Sequence, residues 1–254
     1  MPGAHAILSP SSSERWINCP PSAMENAAQT DTGSSYAQQG TDAHALCEYK
    51  VKKALGYKVR DPTDDLEYFD EEMAECSDAY YEFIMEQVAA AKQTCPDPQV
   101  MVEQRLDFTR WVAESFGTAD CIIVADGTMT IVDFKYGLGI LVDAENNSQM
   151  RMYALGALNL FEALYDIQTV RMCIFQPRRN NVSVAEVTKD ELLRMMFSFP
   201  LRHLQHRARV NTKLANTVSS VKSRRPAGSG RNTTCSLRST TSPFLTLLPL
   251  TKSA

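Results

Sequence analysis

The feature that most constrains the fold is a pair of β-rich runs joined by Asp126 and Gly127. The runs are residues 118–125 (TADCIIVA) and 128–135 (TMTIVDFK). An Asp-Gly pair in this position predicts a two-residue hairpin turn of type I′, since that turn requires positive φ at both central residues. A turn of fixed length also fixes the register of the two strands. Counting outward from the turn, Asp120 on the first strand faces Asp133 on the second.

Lys135 joins these two carboxylates, because it lies two residues beyond Asp133 and projects from the same side of the strand. Directly opposed Cβ atoms lie about 5 Å apart, and two anions at that distance repel by about 3 kcal/mol at an effective dielectric constant of about 20. Lys135 offsets part of this repulsion. A divalent cation offsets more, and hard oxygen ligands favour Mg²⁺ or Mn²⁺. The hairpin alone leaves an alternative open, in which Lys135 forms a salt bridge with one Asp and the other Asp is solvated.

Both faces of the hairpin are otherwise apolar, which predicts a sheet covered on both sides. The alternation of side chains assigns four residues to each face. One face carries Cys121, Ile123, Val132 and Phe134, and the other carries Ile122, Val124, Met129 and Ile131 beside the acids.

Patterns elsewhere predict a helical N-terminal part (residues 1–95) and a core (residues 96–197) that mixes strands and helices. Serines placed three residues ahead of Glu14 predict a capping box for a short first helix that ends at Pro20 and Pro21. Thr188 is expected to cap the last helix. The expected helices are 36–55, with a break at Gly40, 66–92 and 148–164, and the further strands are 100–108, 170–177 and 181–187, the last two as a hairpin.

The composition changes abruptly near residue 195. All 30 acidic residues lie before this position, whereas the residues after it include ten Lys or Arg and neither Asp nor Glu. Residues 198–254 are also rich in Ser and Thr and lack sustained periodicity, which predicts a disordered tail. Two origins stay open for it: a basic nucleic-acid-binding appendage, or out-of-frame translation after a frameshift near Arg194. Reading the coding DNA in the other frames tests the frameshift.

Secretion and membrane insertion are not expected. No apolar run reaches the roughly 18 residues that cross a bilayer, and the N-terminus lacks the basic and apolar regions of a signal peptide. The seven cysteines are scattered and never spaced C-x-x-C. Free thiols are therefore expected rather than disulfides or a zinc site.

Four motifs occur in an order that resembles the PD-(D/E)XK nuclease superfamily, specifically its RecB-like exonuclease branch. They are an upstream helical histidine, a G-x-x-D strand, a D-x-K strand and a Q-x-x-x-Y helix, here His44 and residues 117–120, 133–135 and 149–153. Longer segments between residues 4 and 194 resemble an uncharacterised family found in phages and prophages. The resemblance implies an α/β (α+β) fold with a restriction-endonuclease-like core, in which helices flank a central mixed β-sheet.

Metal-dependent cleavage of DNA is the activity that the resemblance implies. Asp120 and Asp133 would bind Mg²⁺ or Mn²⁺, helped by the Phe134 carbonyl and His44, and the metal would lower the pKa of a bound water. Glu103 matches an acid one strand earlier, and we expect it to support the ligands rather than to bind the metal directly.

Three further residues take roles from the same resemblance. Lys135 would orient the attacking water or stabilise the charge that develops on the phosphate. Gln149 and Tyr153, one helical turn apart, would position the metal site or contact the DNA backbone. Taken singly, Gln149 is typical of a surface amide and Tyr153 of core packing.

An iron–sulfur cluster is not expected in this chain. Members of this branch often hold one with a cysteine near the N-terminus and three near the C-terminus. Cys19 matches the first, but the C-terminal triplet is absent, and Cys235 alone cannot replace it.

The motifs and the resemblance together predict a Mg²⁺-dependent deoxyribonuclease, with an exonuclease favoured over an endonuclease. Its expected role is phage or prophage DNA replication or recombination in the cytoplasm of a bacterial host. Its partners would be DNA and phage replication or recombination proteins, with no membrane, and the abnormal tail could impair its activity. The alternative is a catalytically inert nuclease-like protein that binds DNA or a protein partner. Retention of Asp120, Asp133 and Lys135 favours the enzyme.

Overall fold

The computed structural model of the chain describes residues 6–28 and 34–198, without the side chains of residues 196–198. The expectations of a disordered or frameshift-derived tail, and the argument about Cys235, fall on residues outside these ranges.

A five-stranded mixed sheet forms the centre of the fold, with the strands side by side in chain order. Three neighbouring pairs are antiparallel, and the pair β3–β4 is parallel. Parallel neighbours need a long crossover connection, and helix α5 supplies it. The strands are β1 (Gln99–Asp107), β2 (Phe116–Ala125), β3 (Gly127–Phe134), β4 (Ile167–Gln176) and β5 (Asn181–Thr188).

Within the part of the chain that the structure describes, six α-helices surround the sheet and include those predicted from the sequence. They are α1 (Ser13–Asn18), α2 (Pro21–Ala28), α3 (Ser35–Ala54), α4 (Glu71–Ala91), α5 (Ser148–Phe161) and α6 (Lys189–Ser198). Within the described ranges, none of them combines the length and the apolar character that crossing a bilayer requires. The predicted α/β class, a mixed sheet flanked by helices, is confirmed.

The sheet separates two hydrophobic cores, as the apolar character of both hairpin faces predicts. Ile122, Val124, Met129 and Ile131 pack in one core with residues of α1, α2, α5 and α6. Cys121, Ile123, Val132 and Phe134 pack in the other core with residues of α3 and α4. The predicted division of the eight side chains between the two faces is therefore confirmed.

The β2–β3 hairpin has the predicted register but not the predicted turn. The paired residues run from Ala125 and Thr128, beside the turn, to Cys121 and Val132. Among the two turn residues only Gly127 has positive φ, at 79°. The prediction of a type I′ turn is therefore wrong, because that turn also requires positive φ at Asp126.

The observed bounds of helices α3 and α4 differ from the predicted ones. Helix α3 continues through Gly40 without a break. Helix α4 begins at Glu71 rather than at Leu66, because the side chain of Asp70 caps it by accepting the Met73 N–H at 2.7 Å.

At the first helix, α1 has no side-chain cap, so the predicted capping box there is wrong. At the last helix, Thr188 and Glu191 form the reciprocal hydrogen bonds of a capping box, which confirms the predicted cap.

Candidate functional site

The sequence-predicted site residues meet where the pairing of β2 with β3 ends. Asp120 lies in the middle of β2, and Asp133 lies one residue before the end of β3. Helix α3 contributes His44 from one face of the sheet, and helix α5 contributes Gln149 from the other. The site thus lies between the two helical layers.

Asp120 is held between the backbone of β3 and the side chain of His44. The β2–β3 pairing ends at Cys121 and Val132, so Asp120 and Asp133 are not a backbone-paired couple. Instead, Oδ2 of Asp120 accepts the Phe134 N–H at 2.6 Å, and Oδ1 lies 3.3 Å from Nδ1 of His44. Both acids thus lie just beyond the last pair of the predicted register, and their direct opposition stays a prediction.

The surroundings of His44 favour its protonated imidazolium form at neutral pH. Its ring packs edge-on against Phe134, with ring centroids 5.3 Å apart. Burial lowers the pKa of His44, but the carboxylate of Asp120, with smaller contributions from Asp133 and Glu103, outweighs burial and raises it to about 9. A charged His44 in turn holds the pKa of Asp120 below its usual value despite burial.

Glu103 approaches the same two side chains from β1. It lies between the paired residues Val102 and Gln104 but has a φ of 54°, in the left-handed region. A residue other than glycine in this region costs of order 1–3 kcal/mol, and such strain concentrates at functional sites. Burial, and then the negative charge of Asp120, raises the pKa of Glu103 to about 7.

His44, Glu103 and Asp120 could together hold a divalent metal. Each offers one ligand atom, and the three atoms lie within 4.8 Å of one another. One imidazole nitrogen and two carboxylate oxygens suit an oxygen-preferring divalent ion that also accepts a nitrogen ligand. The pKa of Glu103 is raised first by burial and then by the negative charge of Asp120, and a bound cation would offset both effects. Glu103 is thus close enough to bind the metal directly, whereas the sequence predicts that it supports the ligands.

A second group of side chains surrounds Asp133. Its Oδ2 lies 2.9 Å from Nζ of Lys135, and its Oδ1 accepts from Nε2 of Gln149 at 2.8 Å. The Gln149 amide also accepts from Nζ of Lys135 at 3.0 Å and donates to the hydroxyl of Tyr153 at 3.2 Å. One carboxylate, one ammonium and one amide are thereby fixed relative to one another.

The charges of the two groups influence each other. Burial raises the pKa of Asp133, Lys135 opposes this effect, and the negative charge of Asp120 adds to it. Burial lowers the pKa of Lys135, but Asp133 outweighs it, so the net shift is upward and Lys135 stays protonated at neutral pH. Burial also raises the pKa of Tyr153, which keeps its hydroxyl neutral.

Steric constraints explain why the G-x-x-D motif has a glycine at position 117. A Cβ at Gly117 would lie 2.9 Å from Cγ of Pro10 and 3.3 Å from Cε1 of Tyr153. Gly117 therefore allows both residues to pack against the start of β2, three positions before Asp120.

Sequence reasoning missed a contact that supports the strand end beyond Lys135. Arg178 forms a bidentate ion pair with Glu72 of α4, at 2.9 and 2.8 Å, and its guanidinium lies 4.7 Å from the centroid of the Tyr136 ring. Its partner Glu72 is too distant in sequence to be identified from a local pattern.

The six cysteines within the described ranges, Cys19 among them, are free thiols.

The fold and the site define an α/β protein with a candidate divalent-metal site at one end of a mixed sheet. The chain belongs to the family described as Protein of unknown function (DUF2800), whose model matches residues 5–213. Membership of the wider PD-(D/E)XK superfamily and a phage or prophage origin stay predictions.

Two solved structures are similar to part of this chain. One is the crystal structure of LHK-Exo in complex with dAMP, at 10% identity and a TM-score of 0.34, covering 72% of this chain and 91% of that one. The other is the crystal structure of SSO0001, at 13% identity and a TM-score of 0.27, covering 61% of this chain and 85% of that one. Similarity at this level does not bear on the function of the chain.

Proposed function

We propose that this protein is a metal-dependent nuclease that hydrolyses phosphodiester bonds in DNA, with exonuclease as the favoured form. The observation that carries the proposal is the pairing of two groups at one end of the sheet. A cluster of three possible metal ligands lies beside an ammonium group that a buried carboxylate and an amide hold in place.

His44, Glu103 and Asp120 are the proposed metal ligands, with Mg²⁺ or Mn²⁺ as the ion. A divalent metal at such a site supplies a water of lowered pKa and neutralises charge on the phosphate. Asp120 keeps its orientation through the Phe134 N–H, and His44 keeps its orientation through the Phe134 ring. The protein therefore prepares the ligands before any metal binds.

Lys135 is the proposed electrostatic catalyst. Its ammonium has three N–H donors, of which one bonds to Oε1 of Gln149, while the ammonium also forms an ion pair with Asp133. A further donor is left for a non-bridging oxygen of the scissile phosphate, where negative charge develops during attack. Removing one preorganised donor of this kind typically lowers the rate by a factor of about 10²–10³.

Asp133 has two roles in the proposal. It holds Lys135, and it remains a candidate further ligand together with the Phe134 carbonyl. In support, Asp133 is only 3% exposed, and burial together with the charge of Asp120 raises its pKa. Tyr153 fixes the amide of Gln149, which in turn orients both Asp133 and Lys135.

The proposal is tested by incubating the full-length protein with end-labelled linear DNA and with circular DNA, in Mg²⁺ and in EDTA. We expect Mg²⁺-dependent degradation of the linear DNA by the unmodified protein. Asp133→Ala and the isosteric Asp133→Asn should abolish it, whereas Asp64→Asn, a control at an exposed aspartate, should not. Equal activity of the unmodified protein and the Asp133 variants would refute the proposal. Cleavage of circular DNA would show that the activity is that of an endonuclease rather than an exonuclease.

An inert nuclease-like protein that binds DNA or a protein partner is the second candidate. One observation favours it: Asp133 is already neutralised by its ion pair with Lys135, and its Oδ1 accepts from Gln149. DNA binding that depends on Mn²⁺, without strand cleavage at any tested metal concentration, would support this candidate against the first.

For the biological setting we infer phage or prophage DNA replication or recombination in the cytoplasm of a bacterial host, with proteins of that process as partners. The resemblance of residues 4–194 supports this inference. Recovery of a phage replication or recombination protein with the tagged chain from phage-infected cells, but not with an unrelated tagged control, would test it.

A further inference from the structure

The amide that orients Lys135 lies in the first turn of a helix. Helix α5 begins at Ser148, so Gln149 is its second residue. The backbone N–H groups of a first turn have no partner within the helix, and helix ends open more readily than helix interiors. The amide of Gln149 nevertheless has to stay in place, because it bonds to both Asp133 and Lys135. The placement of this first turn therefore decides whether both bonds form.

Two side chains hold the first turn of α5. Asn147 caps the helix by accepting the Met150 N–H at 3.1 Å. The second side chain comes from α1, 135 residues away in sequence, where the hydroxyl of Ser13 bonds to the hydroxyl of Ser148 at 2.7 Å. Ser13 is only 1% exposed, so its hydroxyl depends on this bond in place of water. The bond ties the residue next to Gln149 to a different part of the chain.

The part of the chain that makes this bond is itself fixed beside β2. We call residues 8–16 the N-terminal segment. The hydroxyl of Ser115, which is fully buried, donates to the Leu8 carbonyl at 2.5 Å. Nε1 of Trp16 donates to the Ser9 carbonyl at 2.9 Å and closes the segment on itself. The N-terminal segment thus connects the start of β2, the strand that carries a proposed metal ligand, to the first turn of α5.

We propose that Ser13 is a positioning residue of the candidate active site. Its bond to Ser148 holds the first turn of α5 where the Gln149 amide reaches both Asp133 and Lys135. Ser13 acts through Gln149 rather than on the reacting atoms. This inference rests on the proposed function, because it assigns Ser13 to the same reaction.

Loss of this bond should displace the amide without changing the proposed metal ligands. Those ligands come from α3, β1 and β2 rather than from α5. The ammonium of Lys135, in contrast, loses a partner that holds it beside Asp133. A misplacement of about 1 Å in a catalytic group can lower the rate by a factor of about 100. Ser13 should therefore affect the rate constant and not the metal affinity.

The first measurement does not depend on activity. NMR of the full-length protein with isotope-labelled glutamine records the side-chain amide signal of Gln149, identified by its loss in Gln149→Glu. Ser13→Ala should shift this signal towards that of a free glutamine amide, whereas Ser11→Ala, a control at an exposed serine of the same segment, should not. Should Ser13→Ala unfold, the double variant Ser13→Ala/Ser148→Ala, which leaves neither hydroxyl unpaired, is measured in its place. An unshifted signal in the folded variant would overturn the inference.

The second measurement is hydrolysis of end-labelled linear DNA in Mg²⁺. Ser13→Ala should lower kcat by a factor of about 10–100, with the KM for DNA and the Mn²⁺ affinity unchanged. In a Gln149→Ala background the same substitution should have no further effect, because Ser13 acts through the amide. An equal fold loss in both backgrounds would assign Ser13 to general stability and overturn the inference. No hydrolysis by the unmodified protein would refute the proposed nuclease activity, and the Gln149 signal alone would then decide whether Ser13 positions the amide.

Discussion

Replacing Glu103 by Gln should stabilise the metal-free protein, although it removes a proposed ligand. Burial and the nearby Asp120 raise the pKa of Glu103 from 4.5 to about 7 in the folded chain. One pKa unit corresponds to about 1.4 kcal/mol, so an ionised Glu103 lowers the free energy of unfolding by at most about 3.5 kcal/mol. Glu103 is partly exposed, and solvent screening reduces the effect to about 1–2 kcal/mol.

The pH dependence of this effect has a definite sign. Between pH 4.5 and about 7 the unfolded chain loses the Glu103 proton while the folded chain keeps it, so the free energy of unfolding falls as pH rises through this window. Above about pH 7 the cost is complete, and below pH 4.5 it is absent. The stability difference between Glu103→Gln and the unmodified protein should therefore be present at pH 8 and absent at pH 4.

Thermal unfolding in EDTA measures the difference. For a chain of this size, 1–2 kcal/mol corresponds to a rise in Tm of about 2–8 °C at pH 8. Glu82→Gln, the same substitution at an exposed glutamate of α4, should leave Tm unchanged. Added Mn²⁺ should stabilise the unmodified protein, by about 2.7 kcal/mol at 100 times its Kd, and Glu103→Gln by much less. A variant that is less stable than the unmodified protein at pH 8, or that gains equally from Mn²⁺, would refute the reasoning.

Three further predictions concern catalysis, metal binding and packing. Lys135→Gln should lower kcat by a factor of about 10²–10³ with Mn²⁺ affinity unchanged, and a parallel loss of affinity in a metal titration would contradict its assignment. Metal binding at pH 7 should release protons from His44 and Glu103, whose pKa values are about 9 and about 7, so the metal affinity should fall with falling pH. Calorimetry in buffers of different ionisation enthalpy measures this proton release. Metal binding without proton release would exclude these ligands. Gly156→Ala should destabilise the protein by about 1–3 kcal/mol in chemical unfolding, because the added Cβ would lie 2.3 Å from Cε1 of the buried Phe108. This effect should outweigh the preference of alanine for helices. An increase in stability would contradict this packing.

The hairpin and its two faces could be predicted from sequence because local patterns determine them. Asp126 and Gly127 fix which residues pair across the turn, and the alternation of side chains then assigns every residue to a face. The predicted register holds over the paired residues, although the turn has positive φ only at Gly127. The predicted register was therefore correct although the predicted turn type was wrong, because the register depends on the number of turn residues rather than on their dihedral angles.

The arrangement of the acids could not be predicted in the same way. Asp120 bonds to the Phe134 N–H and lies beside His44, which depends on where α3 packs against the end of the sheet. Glu103 reaches the cluster through a left-handed backbone conformation that no sequence signal indicates for a glutamate. These features arise from contacts between distant segments, so the sequence could indicate the residue types of the site but not which oxygen contacts which partner.

Anomalous diffraction from crystals of the full-length protein grown with Mn²⁺ tests the central claim most directly. The account predicts one strong manganese peak that contacts His44, Glu103 and Asp120, at the distances of about 2.0–2.3 Å typical of divalent metals with nitrogen and oxygen ligands. Saturating Mn²⁺ without a peak between these three residues, or with a peak only elsewhere on the protein, would contradict it.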